Sequence, residues 1–532
     1  MSASQSPQPS LTRLPGELSR LIYSHLCNCD IKNLRLVSSF FHRTAVLRLD
    51  RVFISANPRN IEVFEAVAKH DEFRAHVREV VWDDALLASS RTEQDPAGIG
   101  FFADCDDSPG RDPCPDWYWE ACELNMERWI SMKAANWDKP DDSAREQQVA
   151  AQISLKESWA YYRELLRQQR EVLDSQAHVR ALESGIGRFP ALRTITITAA
   201  THGRVFTPVY ETPMIRSFPW GFNYAIPCWP LSTTSQPECP VWDEESRIWQ
   251  GFRVVLEVLA RKLDSGRVRE LHVKSFQLPM GLNSRLFEQP CRTLANFQMV
   301  LSRASFQSLQ LDLMVTPFNE QADVFNCGYL KHALAGAAGG RGLRSVALGT
   351  NYEEAGSIVR TWYIPLETIY DSQSLQRVEH FRISRFPVME NDLLALLAAL
   401  PLSTRTVELS FLEFLEGSHR SLLYQIRDTL NWQDRRLRPR MSIGFNVKFD
   451  HPGQAIWIEQ EVYAFLYEGG PNPFGDDPEL GANNLGDNIG MLKDALNPEF
   501  QRPNLVRERL VEIGYLLEDG TTSPALSYGR TS

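Results

Sequence analysis

Catalysis needs reactive side chains at set spacings, and the sequence offers few. It holds no Gly-x4-Gly-Lys-Ser/Thr phosphate loop, no HExxH, no Gly-x-Ser-x-Gly elbow and no Gly-x-Gly-x-x-Gly fingerprint. Gly336–Gly342 (GAAGGRG) is glycine-rich but precedes a strand-like run. A phosphate-cradling loop would open a helix there, so this one reads as a turn between repeats. Cys105, Cys114 and Cys122 are spaced too widely for the paired CxxC geometry of structural zinc. Asp104, Asp106 and Asp107 could face a hard cation. The glycine–glutamate frame of a calcium loop is missing, so a solvated acidic loop is the simpler reading. The eleven histidines are scattered. The expectation is a chain without catalytic residues, metal or cofactor.

Composition narrows the classes further. The chain has 532 residues, enough for several domains or one extended repeat domain. Hydrophobic residues make up 43%, as in folded soluble proteins. A net charge of −11 argues against a general nucleic-acid binder, which needs a basic face. Nine cysteines, an odd number, fit a reducing compartment, cytoplasm or nucleus. Residues 1–10 are polar and read as a disordered tail without the layout of a secretory signal. No run approaches the ~20 apolar residues of a membrane span.

The elements that could position a partner come first in the chain. Leu14-Pro15 opens a helix, since the missing N–H of proline has no partner in a first turn. Glu17 suits the positive helix end. Leu18, Leu21, Ile22 and Leu26 form one apolar stripe. Asn28, Cys29 and Asp30 interrupt it, with Asp30 as the expected N-cap of a second helix carrying Leu34, Val37, Phe40 and Phe41. Two or three short helices bury little surface alone, so they must dock on a partner or on the rest of the chain.

These residues resemble the F-box: Leu14-Pro15-x-Glu17, Ile22, Leu26, Asp30, Leu34, Arg35, Val37, Ser38 and Phe41 match in order. The resemblance covers residues 11–50 and implies binding to a Skp-type adaptor and, through it, a cullin-based ubiquitin ligase. It assigns the adaptor surface to Leu14, Pro15, Leu18, Ile22, Leu26, Leu34, Val37 and Phe41. The competing reading is an ordinary helical hairpin at the start of a globular protein.

Residues 51–90 read as a linking helix (Arg51 to Phe73, with Ile61, Phe64, Val67 and Ala68 on one face) and a first strand with Val77, Val80 and Trp82 at positions 1, 4 and 6. Residues 91–142 form an acidic insertion with thirteen acidic and five basic residues, expected to be loose at its ends and anchored by tryptophans between Trp117 and Trp137. Ser143 to Ser184 reads as one or two long helices with Val149, Ile153, Trp159, Tyr162, Leu166 and Val172 inward.

The 1-4-6 spacing then recurs. It appears as Leu192, Ile195, Ile197; Val268, Leu271, Val273; Phe306, Leu309, Leu311; and Leu343, Val346, Leu348. Less regular copies are Leu375, Val378, His380; Val407, Leu409, Phe411; and Ile443, Phe445, Val447. Helical patterns precede most copies: Gln176 to Ile186, Thr293 to Ala304, Tyr329 to Ala338 and Asn391 to Leu400. Fourth positions from Leu271 recur after 38, 37, 32 and 29 residues. A strand after a helix at such a period indicates a stacked α/β solenoid over residues 143–455. The pattern resembles the irregular leucine-rich repeats that follow an F-box in many fungal proteins, though the asparagine that usually ends the strand motif is missing. The alternative is a mixed α/β domain whose strands share a local pattern.

An insertion at 201–248, rich in proline and aromatics, is expected on the surface, with Trp220 and Trp229 as candidate target contacts. The aromatics could equally pin the loop to the body. Residues 456–532 read as C-terminal helices (Trp457 to Tyr467, Asn504 to Leu517) around a mobile acidic loop, Asp476 to Asn488. The resemblance implies a non-catalytic substrate receptor: helices on the adaptor, solenoid on a target protein. The other readings are an adaptor-binding scaffold without a degradation target and an unrecognised α/β enzyme.

Overall fold

The structure, a computed structural model, describes residues 11–90, 114–135, 142–227, 241–245, 249–262, 267–278, 280–315, 322–338, 342–351, 363–446, 453–475, 485 and 489–503. Three short helices open it: Gly16–His25, Asn28–Val37 and Ser39–Thr44. Cys27, not Asp30, is the N-cap of the second. The Asp30 N–H donates to Cys27 Sγ at 3.3 Å, and the Cys27 N–H donates back to the Asp30 carboxylate at 3.4 Å. This reciprocal pair satisfies two orphan donors where a cap at Asp30 would satisfy one. Ser38 Oγ caps the third helix by accepting from the Phe41 N–H at 3.3 Å. The helices enclose a small core of Tyr23, Ile31, Phe41 and Ala45.

From residue 51 onward strands and helices alternate. The strands are β1 (Arg51–Ser55), β2 (Glu79–Asp83), β3 (Thr194–Thr198), β4 (Glu270–Val273), β5 (Leu282–Asn283), β6 (Ser308–Met314), β7 (Ser345–Thr350), β8 (His380–Ser384), β9 (Pro387–Met389), β10 (Thr406–Ser410), β11 (Glu413–Glu416), β12 (Arg440–Asn446), β13 (Gln454–Ile458), β14 (Met491–Asp494) and β15 (Asn497–Pro503). One 13-stranded sheet runs β1-β2-β3-β4-β6-β7-β8-β10-β12-β13-β14-β15, with β5 beside β6; β9 and β11 pair separately. The path is parallel from β1 to β12 and antiparallel beyond. The fold class is therefore mixed α/β.

Register explains the core. Val80, Ile195, Leu271, Leu309 and Val346 stand side by side, and so do Trp82, Ile197, Val273, Leu311 and Leu348. All are buried against the helices on one face. Side chains alternate along a strand, so positions 4 and 6 share that face while 3, 5 and 7 point away.

Three expected copies shift. The ladder continues through Phe381 and Ile383, then Val407 and Leu409, then Met441 and Ile443. His380 points away from the core, and Val378 takes the first position of its copy. Val407 and Leu409 hold positions 4 and 6, with Thr404 leading. The first of these copies slips by three residues, which turns His380 to the opposite face; the last slips by two, which keeps the face, so apolar spacing alone does not resolve it.

Arg51–Ser55 is a strand, not the start of a helix; the helix is Pro58–Lys69. Leu49, Val52 and Ile54 are one more 1-4-6 copy, and Asn57 and Pro58 then start the helix. Trp457 likewise lies in β13, ahead of the helix Gln460–Tyr467. The hairpin β14–β15 occupies a stretch expected to be loop and helix. Asn504 to Leu517 lies outside the described residues, as do Asp476 to Asn488 except Leu485.

The helices expected before the repeats occur as Ala177–Gly185, Arg292–Leu301, Tyr329–Ala338 and Glu390–Ala398. Ser143 to Ser184 resolves into the end of Asp142–Ala150, then Leu155–Ser175 and Ala177–Gly185. Tyr162 and Val172 are buried as expected, but Leu165 rather than Leu166 faces fully inward. Among the described residues no helix is long and apolar enough to cross a membrane.

A second core sits apart from the sheet. It joins Trp117, Tyr118 and Cys122 of the helix Asp116–Ala135, Tyr162 and Leu165 of Leu155–Ser175, and Val205, Phe222 and Tyr224. Residues 201–227 after β3 are therefore largely interior rather than on the surface, with Thr201, Thr212 and Ala225 fully buried, while 241–245 are mostly exposed. Its polar groups find partners inside. Asn125 Nδ2 donates to the Tyr224 carbonyl at 2.8 Å and to Asn223 Oδ1 at 2.9 Å, and Asn223 Nδ2 donates to the Cys122 carbonyl at 3.0 Å. These bonds supply what secondary structure normally would.

Candidate functional site

The N-terminal helices carry their apolar stripe outward. The first helix buries Ser19 and Tyr23, while Leu18, Leu21 and Ile22 are 49%, 58% and 40% exposed. On the second, Leu36 and Val37 are 86% and 72% exposed. Half of the exposed large apolar side chains found among the described residues lie between Leu11 and Val37. Single exposed leucines are ordinary, but a cluster marks an interaction surface.

The residues assigned to the adaptor by resemblance therefore divide. Pro15, Leu18, Ile22 and Val37 are exposed; Leu14, Leu26 and Leu34 are half-buried; Phe41 is buried. Phe41 holds the helices together, with Leu26 and Leu34 packed at its edge. Leu36 was not singled out from sequence. An apolar residue off the stripe, beside Val37, was its signal.

The helices are clamped to the body through Arg48. Its guanidinium donates to the carbonyls of Tyr23 at 3.1 Å, Ser24 at 2.6 Å and Leu26. Asn28 brackets the Arg48 backbone, accepting from its N–H at 2.9 Å and donating to its carbonyl at 2.6 Å. The apolar surface is thus displayed in a set orientation next to β1.

Of the two candidate target contacts, Trp220 is 56% exposed and Trp229 lies outside the described residues. Phe222 and Tyr224, two and four residues on, stack in the second core at 4.7 Å. Those aromatics pin the segment and leave Trp220 outside.

The sheet face away from the helices is polar and charged. Thr196 Oγ1 donates to Glu79 at 2.6 Å, Arg51 pairs with Glu79 at 2.6 Å, and Arg382 pairs with Glu408 at 2.8 Å. Lys274, just after β4, feels Glu79 and Asp312, and also Arg51 and Arg382. Burial, first, lowers the Lys274 pKa. Burial, with Lys274 nearby, pushes His272 down to about 3.

The strongest concentration of shifted groups lies at the carboxyl ends of β1 and β2. Burial raises Asp83 to about 7 and Asp84 to about 6, and lowers His202 to about 4. His202 Nδ1 meets the Tyr224 hydroxyl at 2.7 Å. Asp84 accepts from the Trp82 indole and from the Gly251 N–H, each at 3.0 Å, which ties β2 to the helix Gln250–Lys262. A side chain at 251 would strike the Trp82 indole, so glycine is required there. The cavity between Ser55, Asn57, Asp83, Gln169 and His202 has a volume of about 10 Å³. That admits one water and no organic substrate.

Cys114 and Cys122 are buried in the second core, while Cys105 and the Asp104–Asp107 cluster lie outside the described residues. Among the described residues no group of three or more His, Cys, Asp or Glu side chains could hold a metal ion. No protein-family model matches the chain, and no curated protein matches it.

Proposed function

We propose that the chain is a substrate-receptor subunit of a Skp–cullin–F-box type ubiquitin ligase. The observation that supports this is the apolar surface of Leu18, Leu21, Ile22, Leu36 and Val37 on helices that match the F-box pattern. In this reading Leu14, Pro15, Leu18, Ile22 and Val37 bury on a Skp-type adaptor, Leu26 and Leu34 line the edge, and Phe41 keeps the surface in shape. The repeating strand–helix units act as an irregular leucine-rich-repeat-like solenoid. Its polar face and Trp220 receive a target protein. Catalysis comes from the partner ligase. This chain contributes proximity, raising the effective concentration of target lysines. The complex operates in cytoplasm or nucleus.

The test is a pull-down of a Skp-type adaptor with the intact chain and with a Leu14→Ala/Pro15→Ala variant. Capture by the intact chain and loss by a variant with an unchanged melting temperature is the expected result. If the intact, folded chain captures no adaptor, the ligase reading fails.

A further inference from the structure

The residues just before the strands of the parallel path, from Asp50 ahead of β1 to Arg405 ahead of β10, form a row of their own. Each such carbonyl accepts from the next strand's entry. The Arg193 N–H donates to Arg78 at 2.9 Å, Arg269 to Arg193 at 2.8 Å and Gln307 to Arg269 at 2.7 Å. The row continues with Arg344 to Gln307 at 2.8 Å, then Glu379 to Arg344 and Arg405 to Glu379, each at 2.7 Å. Side chains of the row are therefore neighbours across a strand spacing of ~4.8 Å.

The two ends of the row differ in charge. At one, Glu379 sits between Arg344 and Arg405 and pairs with both at 3.2 Å. At the other, beyond the terminal Asp50, whose carbonyl accepts from the Arg78 N–H at 2.7 Å, Arg78, Arg193 and Arg269 stand side by side with no acid between them. All three are exposed, and among the described residues none of their guanidiniums has an ion-pair or hydrogen-bond partner. Three adjacent unpaired cations on a chain of net charge −11 are not explained by the packing, which needs only their backbone.

We infer that Arg78, Arg193 and Arg269 dock an acidic run of a partner protein. Carboxylates at alternate positions of an extended segment lie ~6.6 Å apart, and those one helical turn apart ~6 Å. Flexible arginine stems at ~4.8 Å intervals reach either, and each guanidinium can grip a carboxylate with two hydrogen bonds. A nucleic acid fits less well, since three charges make a short track and the remaining surface charge opposes it. This assignment rests on the row alone and goes beyond the adaptor reading.

The experiment measures binding of a labelled short polyglutamate peptide to the full chain, beside a neutral peptide carrying one phosphoserine and a short oligothymidine. Polyglutamate should bind, weaken as salt rises, and weaken about tenfold in an Arg78→Gln/Arg193→Gln/Arg269→Gln variant. An Arg344→Gln variant should bind like the parent. If the triple variant misfolds, Arg193→Gln at the centre of the row must still weaken binding. Unchanged affinity in the folded variants overturns the proposal. So does binding confined to the phosphopeptide, or oligothymidine binding as tight as polyglutamate. Adaptor capture does not involve this row, so either result can fail while the other stands.

Discussion

The sheet and the N-terminal helices treat the same residue types in opposite ways. In the sheet, Leu309, Leu311, Val346 and Leu348 are turned inward and almost fully buried. In the helices, Leu18, Leu21, Leu36 and Val37 are turned outward, and only Tyr23, Ile31, Phe41 and Ala45 are enclosed. A region that buries its leucines is complete without a partner. A region that spends four residues on its own core and exposes five apolar side chains is shaped for contact with something else.

The contrast can be broken from either side. Leu309→Ala, at the centre of the ladder, should cost about 2–5 kcal/mol by denaturant titration, through lost transfer energy and a cavity. A loss below about 1 kcal/mol would mean that the ladder does not carry the core. The next effect is pH-dependent and confined to the sheet body. Asp83 is raised to about 7, against about 3.9 in an unfolded chain. Below that lower value both states hold the proton and stability is full; it is lost as pH rises towards 7. Asp83→Asn should flatten this slope between pH 4 and 7, which thermal melts across that range would reveal. The smallest effect belongs to the helices. Leu36→Ser/Val37→Ser should move stability by no more than about 0.5 kcal/mol, because both side chains already face water. A large loss would show that they pack against something in the free chain.

The sequence made the ladder legible wherever a strand began with its first apolar position intact. Leu192, Val268, Phe306 and Leu343 all stand directly ahead of the strands they announce. Where Thr404 takes that place, the pattern slipped. The first copy was hidden because Leu49 sits at the end of the resemblance to the F-box and the helical periodicity from Ile61 extended too far back. Interior position of the segment after β3 could not be read locally. Loops lie outside because their backbone groups need water, and here Asn125 and Asn223 replace water from about a hundred residues away in sequence. The outward stripe of the first helix is legible as apolar spacing, but its direction depends on Ser19 and Tyr23 on the opposite face, of which only Tyr23 is a large apolar group.

One contact changes how the stack must come apart. Arg204, just after β3, pairs with Asp494 in β14 through bonds of 2.6 and 2.8 Å, and the Asp494 side chain is wholly buried. Seven strands of the path separate β3 from β14. In a linear array with only nearest-neighbour coupling, the last strands fray first and independently. The clasp closes that array into a loop. Peeling β14 would carry Asp494 into water and leave the nearly buried Arg204 guanidinium without its anion, a cost of several kcal/mol. The terminal hairpin and the region after β3 should therefore exchange their amide protons as one cooperative unit, although the paired side chains are 290 positions apart in the chain.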